Sequence, residues 1–296
     1  MISILVCSVN PALLAKLRLN VGATVKTPFE ILAFDNRKEK KGLARVYNQL
    51  AAEARFDILC FVHEDVIIHT TGWGESLEKL LANKEIGLVG ISGAVYKSKY
   101  PAPWSACDQS LYRTHSIQHF SGRPQPVTIN INPASTQWAE VAVIDGVLMA
   151  TRKSVLKEYA FDEKLLTGFH GYDMDYCLQV GQRYKLVVTY ELLLEHLSSG
   201  NFNENWITAS FKIHRKWRHA LPKNIFNKNE RLRLPDYTAC ASVLNQLLAI
   251  KGHEFTVIKY YVLLVFLFFK ENKLRYTKTV LRYFFGIKDL TGFLNL

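Results

Sequence analysis

Phe56-Asp57-Ile58-Leu59-Cys60-Phe61-Val62-His63-Glu64-Asp65-Val66 is the stretch whose reading decides the fold. Its five consecutive apolar residues, Ile58 to Val62, have the uninterrupted pattern of a β-strand covered on both faces. The strand runs directly into His63, Glu64 and Asp65. In an open α/β sheet, ligands bind at the C-terminal ends of the strands. A carboxylate placed there can hold a hard divalent cation, which can in turn hold substrate phosphates. Successive side chains of an extended segment alternate in direction, so His63 and Asp65 point the same way and Glu64 faces elsewhere.

Upstream, the chain alternates strand and helix. Ile2–Val9 reads as a strand. Pro11 to about Gly22 reads as a helix, with Asn10 as its N-cap and Pro11 at its first position. Phe29–Phe34 is a second strand ending in Asp35-Asn36. Gly42–Ala54 is a helix with apolar residues at Leu43, Val46, Tyr47 and Leu50. Downstream come a helix, Trp73–Ala82, and a strand, Ile86–Ile91. This order predicts an α/β domain with a mostly parallel sheet and helices on both faces. From Tyr96 to Gln137 the pattern stops, broken by Pro101, Pro103, Pro124, Pro126 and Pro133, and the segment reads as a long functional loop. Strands follow at Trp138–Val143 and Val147–Ala150, and a short helix at Ser154–Tyr159. Tyr172–Arg183 is a helix, Lys185–Thr189 and Glu191–Leu197 are extended, and Glu204–His219 is a basic amphipathic helix.

The 296 residues divide by charge. Residues 1–210 carry 21 Lys/Arg against 21 Asp/Glu, and residues 211–296 carry 16 against 5, so the net +11 lies wholly in the last third. Residues 1–220 are expected to form the α/β domain, and 221–296 a basic, apolar helical extension with helices near 236–251, 254–271 and 273–285. A basic terminal segment either meets something anionic or is a solvated face. Its ten-residue apolar run, Tyr260 to Phe269, covers ~15 Å as a helix against a bilayer core of ~30 Å. It reads as a core helix or as an interfacial one, not as a span. The five cysteines are scattered with no metal or redox spacing, which fits a reducing cytoplasm. The N-terminus lacks a basic leader and reads as a first strand.

Other constellations carry chemistry beside a blander reading. Asp35-Asn36 can bond a base or ribose, or be an ordinary turn. Lys40-Lys41-Gly42 before a helix can meet phosphate, or be an exposed loop. Asp145-Gly146 combines a hydroxyl-binding carboxylate with close backbone approach, or is a turn. Gly168-Phe169-His170-Gly171-Tyr172-Asp173-Met174-Asp175 places two carboxylates at a helix start, where the dipole favours their ionised forms. A general base needs such a carboxylate near a hydroxyl. Two residues apart on a helix, Asp173 and Asp175 diverge, so either one acts while the other caps or pairs, or both are helix-start carboxylates with a purely structural use. His196 is a late metal or phosphate ligand, or a structural histidine.

Taken in order, these segments resemble the family 2-type GT-A glycosyltransferases. The likeness covers residues 2 to about 217 and rests on Ser3-Ile4-Leu5-Val6, Phe34-Asp35-Asn36, Lys41-Gly42-Leu43-Ala44-Arg45-Val46-Tyr47-Asn48, Phe61-Val62-His63-Glu64-Asp65-Val66, Ile144-Asp145-Gly146 and Phe169 to Asp175. It is nearest a bacterial subgroup with Tyr-Asp in place of a Glu-Asp base motif. The resemblance implies a GT-A fold and transfer of a sugar from a nucleotide-diphosphate donor, a UDP-sugar, to a hydroxyl of a glycan or lipid-linked glycan. It implies Asp173 as base and Mn²⁺ or Mg²⁺ on Asp65 with His63 and His196. The donor would meet Asp35, Asn36, Lys41, Arg45, His63, Glu64, Asp145 and Gly146. The acceptor would meet Trp104, Tyr172 and Asp175, with the Tyr96–Gln137 segment as a lid. Direct displacement would invert the anomeric centre. Two departures stand out. His63 replaces the first Asp of the Asp-x-Asp motif, and Arg37-Lys38 replaces the usual Gly-Ser after the nucleotide-binding Asp. The basic segment would hold the enzyme at the cytoplasmic face of the membrane. Three other readings stay open: a nucleotidyltransferase, which lacks its Gly-rich loop near residue 10; a non-catalytic glycan- or nucleotide-sugar-binding relative; and a nucleic-acid binder, favoured by charge alone. Oligomeric state, a homo-oligomer included, stays open too.

Overall fold

The computed structural model describes residues 1–296 except 201, 227–231, 251, 268–279, 281–283 and 285–296. In chain order its elements are β1 (Ile2–Ser8), α1 (Pro11–Thr24), β2 (Phe29–Asp35), α2 (Leu43–Glu53), β3 (Ile58–Val62), β4 (Val66–Ile68), α3 (Trp73–Ala82), β5 (Ile86–Gly90), β6 (Ser92–Ala94) and β7 (Tyr96–Lys97). They continue with β8 (Tyr112–Gln118), β9 (Val127–Ile131), β10 (Trp138–Val141), β11 (Val143–Ile144), β12 (Leu148–Arg152), α4 (Lys153–Glu158), α5 (Tyr172–Val180), β13 (Lys185–Thr189), β14 (Leu194–His196), α6 (Glu204–Lys216), β15 (Lys223–Asn224), α7 (Arg233–Ala249) and α8 (Glu254–Leu267).

The main sheet has seven strands in the order β10-β13-β5-β12-β3-β1-β2. β2, β1 and β3 are mutually parallel, β12 opposes both β3 and β5, and β13 runs parallel to β5. The sheet is therefore mixed but mostly parallel, as the alternating elements predict. The reason lies in β3, whose side chains alternate between two cores. Leu59 and Phe61 join Leu43, Tyr47 and Leu50 of α2 on one face. Cys60 and Val62 join Leu17 of α1 and Trp73 and Leu77 of α3 on the other. A strand buried on both faces can be apolar throughout, and β3 is.

On the α2 face, an aromatic cluster fixes the start of α5. Phe61 lies 4.9 Å from Tyr47 and 5.0 Å from Phe161, ring to ring. Phe161 lies 4.4 Å from Tyr176, and Tyr47 lies 5.4 Å from Tyr172. Tilted and edge-on pairs of this kind each add about 0.5–1.5 kcal/mol beyond area burial. Gly171 turns the chain into α5 with φ +86°, a left-handed conformation that favours glycine.

The segment from Tyr96 to Gln137 corrects the expectation of a long loop. It contains β8 and β9, which form an antiparallel hairpin. β8 lies centrally in a second sheet ordered β11-β6-β8-β14-β4. The expected single strand at Trp138–Val143 is also divided: β10 edges the main sheet, and β11 crosses to the second.

The C-terminal segment is packed onto this body. β15 pairs with β7 in antiparallel register, Lys223 opposite Lys97 and Asn224 opposite Tyr96. α7 and α8 share a core with Tyr100, Ala102 and Ile207. Asp236 of α7 is fully buried and accepts hydrogen bonds from Tyr96 Oη at 2.9 Å and Ser98 Oγ at 2.6 Å. The helix expected at 273–285 lies almost wholly outside the described residues, as does the end of the Tyr260–Phe269 run.

Candidate active site

β3, the turn before β12, the end of β14 and the start of α5 converge at one sheet edge. β12 runs antiparallel to β3 with Leu148 opposite Val62, and His63 N–H donates to Val147 O at 3.1 Å. Asp145 and Gly146 therefore lie beside His63. β14 runs antiparallel to β4 with His196 opposite Val66, and Leu197 N–H donates to Asp65 O at 2.9 Å. A residue 131 positions downstream is thus delivered to Asp65 by ordinary strand pairing.

His63, Asp65 and His196 each offer a donor atom, and the three atoms lie within 4.8 Å of one another. His63 Nδ1 is 3.9 Å from Asp65 Oδ1, and His196 Nε2 is 3.6 Å from Asp65 Oδ2. Burial works against the Asp65 charge, but His196, Ser198 and His63 outweigh it and hold the carboxyl well below its usual range. Burial, and then the proximity of His196, pushes the His63 imidazole toward its neutral form against the opposing pull of Asp65. Neutral imidazoles and an ionised carboxylate are the states in which these groups coordinate a cation. Two nitrogens and one oxygen at this spacing suit a first-row divalent ion.

Behind this cluster, Tyr172 Oη donates to Gly146 O at 2.9 Å and lies 2.9 Å from His63 Nε2. Gly146 N–H donates to Asp173 Oδ2 at 3.2 Å. A Cβ on Gly146 would collide with the Tyr172 hydroxyl and crowd Asp173 Cβ, so only glycine allows this approach. Burial, followed by repulsion from Asp145, pushes the Asp173 carboxyl up to about 7. Asp145 itself accepts from Trp104 Nε1 at 2.6 Å and from Val147 N–H at 2.9 Å. The Tyr96–Gln137 segment thereby places one indole on the site, and Trp104 packs edge-on against Tyr112 at 5.3 Å.

Three residues expected to meet donor or acceptor are engaged with other protein groups instead. Glu64 points away from its neighbours, as the alternation of an extended segment requires. It is buried and accepts from Ser8 Oγ at 2.6 Å, Val9 N–H at 3.0 Å and Asn10 N–H at 2.9 Å. It organises the loop after β1 and has no free face for a donor. Asp175 is fully buried on the far side of α5. It accepts from Trp217 Nε1 at 2.7 Å, Lys216 Nζ at 2.9 Å and Gln179 Nε2 at 2.8 Å, so it ties α6 to α5 and faces no acceptor. Tyr172 is 4 % exposed and lies beneath the histidines, not on an acceptor surface.

The β2 edge contributes less tightly held groups. Asp35 is exposed and paired with Arg37, whose Nη2 lies 2.6 Å away, and this pairing lowers the carboxyl to about 2. Asn36 is buried and brackets its own loop, donating to Lys41 O at 2.9 Å and accepting from Lys41 N–H at 2.7 Å. Lys41 pairs with Glu39 at 2.7 Å and lies over the Phe34 ring. Arg45 is exposed on α2. Asn36 N–H donates to Ser8 O at 2.8 Å, so this loop lies next to the one that Glu64 organises.

The sequence reading missed Gln118, Ser198 and Phe169. Gln118 Oε1 lies 3.3 Å from His196 Nδ1, and Ser198 Oγ lies 3.2 Å from His196 Nε2. The exposed Phe169 ring lies 5.9 Å from His63. Gln118 carried no signal, because its strand reads as loop. Phe169 stands inside the Gly168–Asp175 segment and could have been found there.

Residues 3–229 match the profile of the Glycosyltransferase like family. The match spans well over half of the chain, and the chain belongs to this family, which makes it an enzyme of the glycosyltransferase class. Its fold is the GT-A fold. It is similar to GalNAc-T7, solved with UDP, GalNAc and Mn²⁺, with a TM-score of 0.51 at 12% identity over 74% of this chain and 50% of that one. The chain thus spans half the length of that structure. The mannosyltransferase PcManGT from Pyrobaculum calidifontis, solved with GDP-Man and Mn²⁺, gives 0.46 at 12% identity over 97% of this chain and 88% of that one. TarS from S. aureus gives 0.48 at 12% identity over 86% and 45%. No curated protein matches the chain by sequence.

Proposed function

We propose that this chain transfers a sugar from a nucleotide-diphosphate donor, a UDP-sugar, to a hydroxyl of a glycan or lipid-linked glycan, with inversion at the anomeric carbon. The observation that carries the reading is the approach of His63, Asp65 and His196 to within 4.8 Å beside Asp173 and Asp145. The uridine nucleotide follows the sequence resemblance and is the one bound by GalNAc-T7. We also place the chain in the Tyr-Asp subgroup, through Tyr172-Asp173.

His63 and His196 would hold Mn²⁺ through ring nitrogens and Asp65 through its carboxylate, with Mg²⁺ the alternative ion. Held there, such an ion would supply positive charge against the leaving diphosphate. Asp35, on the β2 edge, would accept from the nucleotide after parting from Arg37, and Lys41 and Arg45 supply positive charge near the phosphates. Asp145 would take a sugar hydroxyl in place of the Trp104 indole. Asp173 holds its proton at Oδ1 or Oδ2 below about pH 7 and accepts the acceptor hydroxyl's proton above it. One base and one face of attack give inversion. Trp104 and the exposed Phe169 offer flat apolar faces to an acceptor sugar.

We further propose contact with an anionic membrane at the cytoplasmic face. Supporting it are the basic last third and an exposed stripe on α8: Phe255 at 90 %, Ile258 at 45 % and Val262 at 42 % exposure. No helix among the described residues is long and apolar enough to cross a membrane. Phe255→Glu with Ile258→Glu in the full chain should abolish flotation with anionic vesicles; unchanged flotation removes this role.

The main reading is tested by thermal unfolding with UDP-, GDP- and dTDP-sugars. A UDP-sugar should raise the melting temperature with Mn²⁺ present and not without it, and Asp65→Ala should remove the shift. Equal shifts with and without Mn²⁺, or none with any donor, would count against it.

A further inference from the structure

We infer that Tyr172 and Gln118 are positioning residues that fix which ring nitrogen of His63 and of His196 faces Asp65. The inference rests on the metal reading above and extends it to two residues outside the ligand set.

Proton counting carries the argument. A phenol has one hydrogen, and a carbonyl oxygen can only accept. Tyr172 Oη lies 2.9 Å from Gly146 O, which can only accept, while its other phenol partner, Tyr47, has a hydrogen of its own to give, so the Tyr172 hydrogen goes to Gly146. His63 Nε2, also 2.9 Å away, then faces an oxygen lone pair and must itself carry the hydrogen. Nδ1 is left with the lone pair, and Nδ1 is the atom that faces Asp65 Oδ1 at 3.9 Å.

The same counting applies to His196. The Gln118 amide nitrogen donates to His119 O at 2.8 Å and to Ser198 O. With both amide hydrogens taken up by carbonyls, the orientation of the side chain is settled and Oε1 is an acceptor. Oε1 lies 3.3 Å from His196 Nδ1, which therefore carries the hydrogen. Nε2 has the lone pair, and Nε2 is the atom 3.6 Å from Asp65 Oδ2. Strand register underlies the geometry: Gln118 is the residue opposite His196 in the β8–β14 pair.

The two rings are thus set in opposite tautomers, His63 as Nε2–H and His196 as Nδ1–H. Both turn a lone pair toward one carboxylate. Partners of this kind orient a ligating imidazole, and their loss weakens metal affinity by about 10–100-fold.

The test uses the full-length, metal-free protein at pH 8 with ¹⁵N-labelled histidine. Imidazole ¹⁵N–¹H correlation spectra, assigned with His63→Asn and His196→Asn, should show the two opposite tautomers. The reverse tautomer at either ring overturns the inference, and this readout needs no variant of Tyr172 or Gln118 to fold. Mn²⁺ titration by calorimetry follows. Tyr172→Phe and Gln118→Leu should each weaken binding by about 10–100-fold, and Gln118→Glu, which keeps an acceptor for Nδ1–H, should restore it. Unchanged affinity in both variants overturns the inference. Tautomers as assigned in a wild type that takes no Mn²⁺ would support the hydrogen-bond assignment and overturn only the metal reading.

Discussion

Asp173 and Asp175 are two carboxylates in one helical turn with opposite fates, and the difference comes from their surroundings. Asp175 is satisfied by Trp217, Lys216 and Gln179. Asp173 has one backbone donor from another element, Gly146, and faces the charge of Asp145. Because burial and Asp145 raise the Asp173 carboxyl to about 7, its basic form is lost as pH falls through about 7. The kcat/KM profile should therefore fall about tenfold per pH unit on the acid side of that value. Asp173→Asn should lower kcat by about 10²–10⁴-fold and flatten that limb. The sign for stability is opposite. An ionised Asp173 destabilises the fold above the ordinary carboxyl range, so Asp173→Asn should melt higher than wild type at pH 8.

At the scale of elements, the parallel strands were legible because strands covered on both faces can be unbroken apolar runs, as Ile58–Val62 is. The pairing of His63 with Asp65 was legible for a related reason, since alternation along an extended chain needs no long-range knowledge. β8 was not legible. It carries Arg113, Thr114, His115, Ser116 and Gln118 among flanking prolines, and only its neighbours β6, β14 and β9 make it a strand. The role of Asp175 was hidden because its partners lie about forty residues away on the end of α6. Its loss should be felt there. Asp175→Ala leaves the Trp217 indole N–H without its acceptor and the Lys216 ammonium with Asp162 alone, and should cost about 1–3 kcal/mol in denaturant unfolding. A loss below about 0.5 kcal/mol, the usual range for a surface change, would contradict the assigned tie.

For the whole molecule, the charge boundary in the sequence is not a mechanical boundary. β15 completes a ladder with β7, and the third core joins residues from both sides of position 220. Asp236→Ala would remove the acceptor that Tyr96 Oη and Ser98 Oγ share, although Leu232 N–H still meets the phenol oxygen and Tyr100 N–H the serine oxygen, and should cost about 1–3 kcal/mol. Unfolding should remain a single transition at a lower midpoint. A separate early transition confined to the C-terminal helices, seen by calorimetry, would mean that they fold on their own.

The indole of Trp104 leans on the carboxylate of Asp145 at 2.6 Å. The chain's four other tryptophans lie elsewhere: Trp73 is buried at the start of α3, Trp138 is exposed on β10, Trp206 packs edge-on against Phe202, and Trp217 donates to Asp175. Trp104 is therefore a built-in fluorophore whose emission reports on its anionic neighbour. A saccharide hydroxyl that displaced it would shift the emission maximum during donor titration. Trp104→Phe would silence the optical signal while the Mn²⁺-dependent thermal shift persisted, separating light from heat as reporters of one binding event.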